Sequence, residues 1–148
     1  MKNKKVLFFP LLLILIGGCI KVTTRTITKT EDPADQKQAA NVAESFYTAL
    51  INKNYDQTYT LFGTPFYKVA SKEALHKDYE KVAAEFGPVK KIALISSHTK
   101  TIKGNKNSGN YVLIYAVRRS ISDTYETFTM DLEGNTVKII NYDVKFIR

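Results

Sequence analysis

The chain has 148 residues, with 22 Lys and Arg against 14 Asp and Glu, two His, one Cys and no Trp. That length allows one domain and excludes separate cofactor and substrate lobes, while a single Cys excludes an intrachain disulfide framework and a multi-cysteine zinc cluster. A 44% hydrophobic share with 24% charged residues of mixed sign suffices for a core and argues against wholesale disorder.

The N-terminus departs from these averages. Lys2, Lys4 and Lys5 form a basic start without an acid, and Val6 to Ile16 then runs apolar, interrupted by Pro10. A spanning helix needs about 20 apolar residues, so the run reads as a secretory signal ending in small residues. Ile16-Gly17-Gly18-Cys19 resembles the lipobox of bacterial lipoproteins. That resemblance implies a diacylglyceryl thioether on Cys19, cleavage just before it, and acylation of the new amine. The alternative is an ordinary secretory signal with a chance Cys. Residues 1–18 are therefore expected to be the signal and residues 19–32 the lipidated Cys with its tether. Removal of the signal takes three lysines with it, and lipidation leaves no thiol for catalysis or redox chemistry. The expected location is a lipid-anchored, exported one: the outer membrane facing the periplasm where the cell has two membranes, since Ile20 is not the Asp that signals inner-membrane retention in enteric bacteria.

Ile20 to Asp32 is rich in Thr and Lys without an apolar period. A flexible tether of this length spans about 20 Å r.m.s. and roughly 45 Å when stretched. An added edge strand using Val22 and Ile27 is the alternative.

The domain is expected over 33–148. Asp32 as N-cap, Pro33 and Asp35 mark a helix start, and Ala39, Val42, Ala43, Phe46, Tyr47 and Leu50 recur at helical spacing. Asn52-Lys53-Asn54 ends that helix. Tyr55 to Phe62 reads as a short second helix, and Gly63-Thr64-Pro65 breaks the chain. Ser71 caps a third helix carrying Leu75, Tyr79, Val82, Ala83 and Phe86 on one face, which Gly87-Pro88 stops. Four β-rich runs follow: Val89 to Ile102, Asn110 to Ser120, Tyr125 to Leu132 and Val137 to Ile147. Glu126, Phe128, Met130 and Leu132 share one face of the third, and Ile140, Tyr142, Val144 and Phe146 one face of the fourth. Three helices before four antiparallel strands predict an α+β domain with helices on one face of a curved, meandering sheet.

That order resembles the nuclear transport factor 2-like superfamily of cone-shaped domains, and within it a family of secreted bacterial domains of unknown function. The residues that carry the resemblance are Phe46, Tyr55-Asp56-Gln57, Phe86-Gly87, Gly104 with Gly109-Asn110-Tyr111, Tyr125-Glu126-Thr127, Glu133-Gly134-Asn135, Val137 and Tyr142. Thr136 stands where that family usually carries Trp. The resemblance implies a shape and a pocket, not a reaction, because one scaffold hosts many functions. It also implies that an enzyme on this fold places an Asp, His or Tyr inside the cone.

Candidate chemistry is sparse. His98 shares a strand face with Ile92, Leu94 and Ser96; inside the cone, beside Asp131 or Asp143, it would be a general base. The alternative is a solvent-facing strand residue, and the alternation also turns Asp131 and Asp143 outward. His76 falls on the polar side of the third helix and is expected to be exposed. Tyr47, Tyr59, Tyr79, Tyr115 and Tyr142 are candidates, with His98, for lining an amphipathic pocket, or else they bulk out a core without Trp. No HExxH, GxSxG, P-loop, GxGxxG or EF-hand pattern occurs, so no catalytic residue, metal or cofactor is expected.

Between Glu85 and Asp123 no acid occurs. Lys90, Lys91, Lys100, Lys103, Arg118 and Arg119 there are a candidate basic interface for another envelope protein or an anionic envelope polymer; the alternative is protection of an exposed strand edge by Lys. Nucleic acid is not an expected partner outside the cytoplasm. The expected function is a non-catalytic binding or assembly module held to the membrane through Cys19. The alternatives are a small-ligand binder using an aromatic cone and a hydrolase- or isomerase-type enzyme using a His/Asp pair.

Overall fold

The computed structural model describes residues 33–102 and 108–147. The signal over 1–18, Cys19, the tether with its Asp32 cap, Lys103 and the turn over 104–107 lie outside the described residues.

Helix α1 (Pro33–Ile51) buries Ala39, Ala43, Phe46, Tyr47 and Ala49 along one stripe. It closes without glycine: Lys53 takes φ 55, and the Asn54 N–H reaches back to the Ala49 carbonyl at 2.8 Å. Asn54 then caps α2 (Tyr55–Leu61) by accepting the Gln57 N–H. Where a plain break was expected, Pro65 sits in the first turn of a one-turn helix, α3 (Thr64–Tyr67), because proline's fixed φ suits that position. The helices thus number four among the described residues rather than three. Ser71 accepts the Ala74 N–H to start α4 (Lys72–Phe86), and Gly87 ends it.

Strands β1 (Val89–Ile102), β2 (Ser108–Arg119), β3 (Thr124–Glu133) and β4 (Thr136–Phe146) form an antiparallel meander in the order β1-β2-β3-β4. Helix α1 packs across β1, β2 and β4 on one face. Thr101 donates to Asp35 at 2.8 Å, which fixes the start of α1 against the end of β1. At the other side Phe62 bridges Ile139, and the Gly63 N–H donates to the Ile139 carbonyl at 2.9 Å.

Two bulges reset the alternation, since one extra residue reverses which side chains face inward. In β1, Leu94 pairs with Tyr115 but Ser96 with Ile114, so Ile95 is the extra residue. Ile92 and Leu94 therefore lie on the inner face, and Ser96 and His98 on the outer. In β4, Met130 pairs with Ile139 and Thr129 with Asn141, so Ile140 is the extra residue. Val137 and Ile139 face the core before it, and Tyr142 after it. The expected shared face of Ile140 and Tyr142 is split for that reason.

Phe46 is at the centre of the core. Its ring meets those of Tyr47, Phe62, Tyr79, Phe128 and Tyr142 at centroid distances of 4.9–6.1 Å, mostly edge to face. Each such pair contributes about 0.5–1.5 kcal/mol beyond its buried area.

Gly87 is the turn on which α4 and β1 depend. Its φ of 81 and ψ of 173 fall in a region that is essentially glycine's alone, and a Cβ there would lie 2.1 Å from Ser120 Oγ and 3.0 Å from the Ile121 nitrogen. Gly87→Ala is expected to cost at least about 2 kcal/mol in urea unfolding. Gly134→Ala, at φ 65 with open space around it, is expected to cost about 1 kcal/mol. Equal losses would show that the Gly87 turn is not special.

Candidate functional site

Strand alternation carries Arg119 inward with Tyr115 and Val117, and Glu126 inward with Phe128 and Met130. The two meet beneath the helices. Arg119 donates through Nε at 2.8 Å and Nη2 at 2.7 Å to Glu126 Oε1, and through Nη1 at 3.0 Å to the Gly87 carbonyl. Thr124 donates to the same Oε1 at 2.8 Å. Tyr142 donates to Oε2 at 2.5 Å and Tyr47 at 3.0 Å. Glu126 is fully buried, and the Arg119 side chain is 2% exposed. An isolated charge would not survive there, because desolvation costs several kcal/mol per ion. Five hydrogen bonds converge on a carboxylate with about four lone-pair sites, so its acceptor capacity is filled.

The surroundings also set the tyrosines. Burial first, then the charge of Glu126, pushes the Tyr142 phenol well above its ordinary value. The Tyr47 phenol moves the same way through burial, Tyr142 and Glu126. Tyr79 is raised chiefly by burial, and its hydroxyl makes no hydrogen bond of ordinary geometry among the described residues. Thr58, the one neighbour that draws Tyr79 down, donates its own proton to the Tyr55 carbonyl at 2.7 Å. Tyr115 packs on Tyr47 and Phe128, and burial pushes it up to about 12.

Beside this cluster a cleft of about 120 Å³ opens between the end of α1, α4 and the start of β1. Leu50, Ile51, Val82 and Val89 are among its apolar walls. Arg119, Tyr142, Tyr79 and Lys53 are among its polar ones.

The candidate residues therefore scatter. Tyr47 and Tyr142 meet on Glu126, Tyr79 joins Tyr142 at the cleft, and Tyr115 belongs to the core. Tyr59 lies in the helical layer, bonded to His76 Nδ1 at 3.0 Å. That contact, with the Tyr55 ring 4.6 Å away, half-buries His76, which was expected to be exposed. His98 is exposed on the outer face opposite Val112, remote from the cone interior. Asp131 and Asp143 also lie on the outer face, in register with Lys138 and Thr127. Arg119 requires a correction: it is not part of an exposed basic interface, because adjacent strand residues point to opposite faces and only Arg118 points outward. Lys91 pairs with Arg118 on that outer face, Lys90 occupies a bulge, and Lys100 lies farther along β1. Glu126 lies on the inner face that the alternation of its strand predicts, and its pairing with Arg119 is what the structure adds. The signal for both residues was their phase: each is a charge at an inward position of an otherwise apolar strand face.

Among the described residues no three His, Cys, Asp or Glu side chains gather as a metal site, and no helix is long and apolar enough to cross a membrane.

No protein-family model and no curated protein matches the chain. Among solved structures it is similar to a protein of unknown function with a cystatin-like fold from Nostoc punctiforme PCC 73102. The identity is 13%, the TM-score 0.53, and the match covers 78% of this chain and 92% of that one. A match to Bd1075 of Bdellovibrio bacteriovorus, at 14% identity and TM-score 0.45, covers 76% of this chain and 40% of that one. The fold is thus cystatin-like α+β, with helices on one face of an open four-stranded antiparallel sheet.

A raised tyrosine pKa means that the folded state holds its proton more tightly than the unfolded chain. The stabilisation is complete below about pH 10 and is lost as pH rises above it. Stability is expected to fall by about 1.4 kcal/mol per pH unit for each such tyrosine above pH 10. Chemical unfolding of Tyr47→Phe/Tyr142→Phe between pH 9 and 11.5 is expected to show a shallower fall than wild type, and an unchanged slope would refute the assignment.

Proposed function

We propose that this protein is an exported lipoprotein, anchored through a thioether on Cys19, whose α+β domain acts as a binding or assembly module without catalysis. The observation that carries the non-catalytic reading is the saturation of Glu126. A general base needs a free lone pair within reach of a substrate proton, and this carboxylate faces five protein donors from inside the core. The His/Asp alternative finds no support in the geometry, since His98, Asp131 and Asp143 lie on the outer face of the sheet. The anchor rests on the short apolar run and on the chain's one Cys falling at the lipobox position. Two or three acyl chains hold stably where one binds only marginally. Where the cell has two membranes, Ile20 favours the outer one.

A second reading is assembly through the basic outer face. Lys91 stands directly opposite Arg118 across the β1–β2 pair, and like charges in that position destabilise a sheet. An anionic envelope polymer or acidic partner would relieve that repulsion.

Cys19→Ala is expected to shift the protein from the detergent phase to the aqueous phase in detergent phase separation of expressing cells. Continued partition with the detergent would overturn the anchor. Lys91→Glu is expected to hold or raise stability by up to about 1 kcal/mol while removing partners crosslinked at the native membrane. An unchanged partner set would sink the second reading.

A further inference from the structure

We infer that the cleft between α1, α4 and β1 is a binding site for a small amphipathic monocarboxylate, with its head toward Arg119 and Lys53 and its apolar body between Leu50, Val82 and Val89. The inference rests on the binding-module reading and gives that module a ligand class.

The donors argue first. A guanidinium has five N–H groups in a fixed fork, and three of Arg119's are engaged by Glu126 and the Gly87 carbonyl. The other two have no acceptor among the described residues, although the side chain is 2% exposed and lines the cleft. A buried donor without an acceptor is unfavourable, and a carboxylate oxygen in the cleft would supply one. Tyr79 lines the same cleft, is 4% exposed, and its hydroxyl makes no hydrogen bond of ordinary geometry among the described residues.

Charge sets the valence. Among the described residues no carboxylate lines the cleft, and Arg119 is already matched by Glu126. The net charge of the lining is therefore that of Lys53, which one monoanion balances. A dianion such as a phosphate monoester would exceed it.

Volume sets the size. An apolar cavity of about 150 Å³ holds a benzene ring, so a cleft of about 120 Å³ takes a body of about five carbons. The apolar walls favour such a tail over a hydrated anion.

The test is calorimetric titration of the lipidated protein in phospholipid nanodiscs, with empty nanodiscs as blank. The ligands are hexanoate, hexanamide and propionate. Hexanoate is expected to bind at least tenfold more tightly than hexanamide, which lacks the charge, and than propionate, which lacks the tail. Ala83→Phe, which narrows the cleft from its exposed wall, is expected to weaken hexanoate at least tenfold with an unchanged thermal unfolding midpoint. Lys53→Gln is expected to weaken hexanoate while leaving hexanamide unaltered. Equal binding of hexanoate and hexanamide, undiminished binding by Ala83→Phe, or no hexanoate binding at 20 mM would each overturn the site. Hexanoate is expected to be recovered unchanged. Its conversion to another compound would overturn the non-catalytic reading instead, so the two failures are distinguishable.

Discussion

A carboxylate and a guanidinium removed from water at the heart of a small domain must be paired with each other, and the elements that supply their partners are thereby tied together. Glu126 on β3 draws Arg119 from β2, Tyr142 from β4 and Tyr47 from α1. Arg119 in turn holds the Gly87 carbonyl at the junction of α4 and β1. Hydrogen bonds of this kind are directional, and leaving one unmade in a low-dielectric interior is costly. A one-residue slip of β2 against β3 would turn one charge outward and strand the other. The cluster thus contributes register as much as stability.

The aromatic core supplies the bulk around that cluster. Phe46 meets five neighbouring rings, so hydrocarbon closes over the charges and keeps water away from them. The bulges decide which side chains take part. Were the strand to alternate regularly through Ile140 instead of bulging there, either Ile139 or Tyr142 would turn out of the core. The bulge at Ile95 sends His98 to the outer face while Leu94 stays inward.

A filled interior with an open margin bears on function. The centre of the cone is occupied by the chain's own side chains, and the accessible chemistry lies at the cleft where α1 ends. Binding there needs no proton transfer from the buried acid.

Much of the fold was legible because periodicity is local. Ala39, Ala43, Phe46 and Tyr47 announce α1, Ser71 and Gly87 bracket α4, and the turn at Gly134 separates the last two strands. The α+β order and the strand sequence follow from residues close together in the chain. The site was not legible to the same degree, because its members come from positions 47, 119, 126 and 142, and only folding brings them together. By composition alone Arg119 reads as part of a surface patch; its inward phase with Tyr115 shows only once the strand is paired. The bulges themselves carry no local mark, since they arise from how two strands fit rather than from either strand alone. The sequence by itself determined the class of domain and its order of elements, because those depend on local spacing. The tertiary structure alone decided that an arginine and a glutamate share the core, because pairing two buried charges depends on register between distant strands.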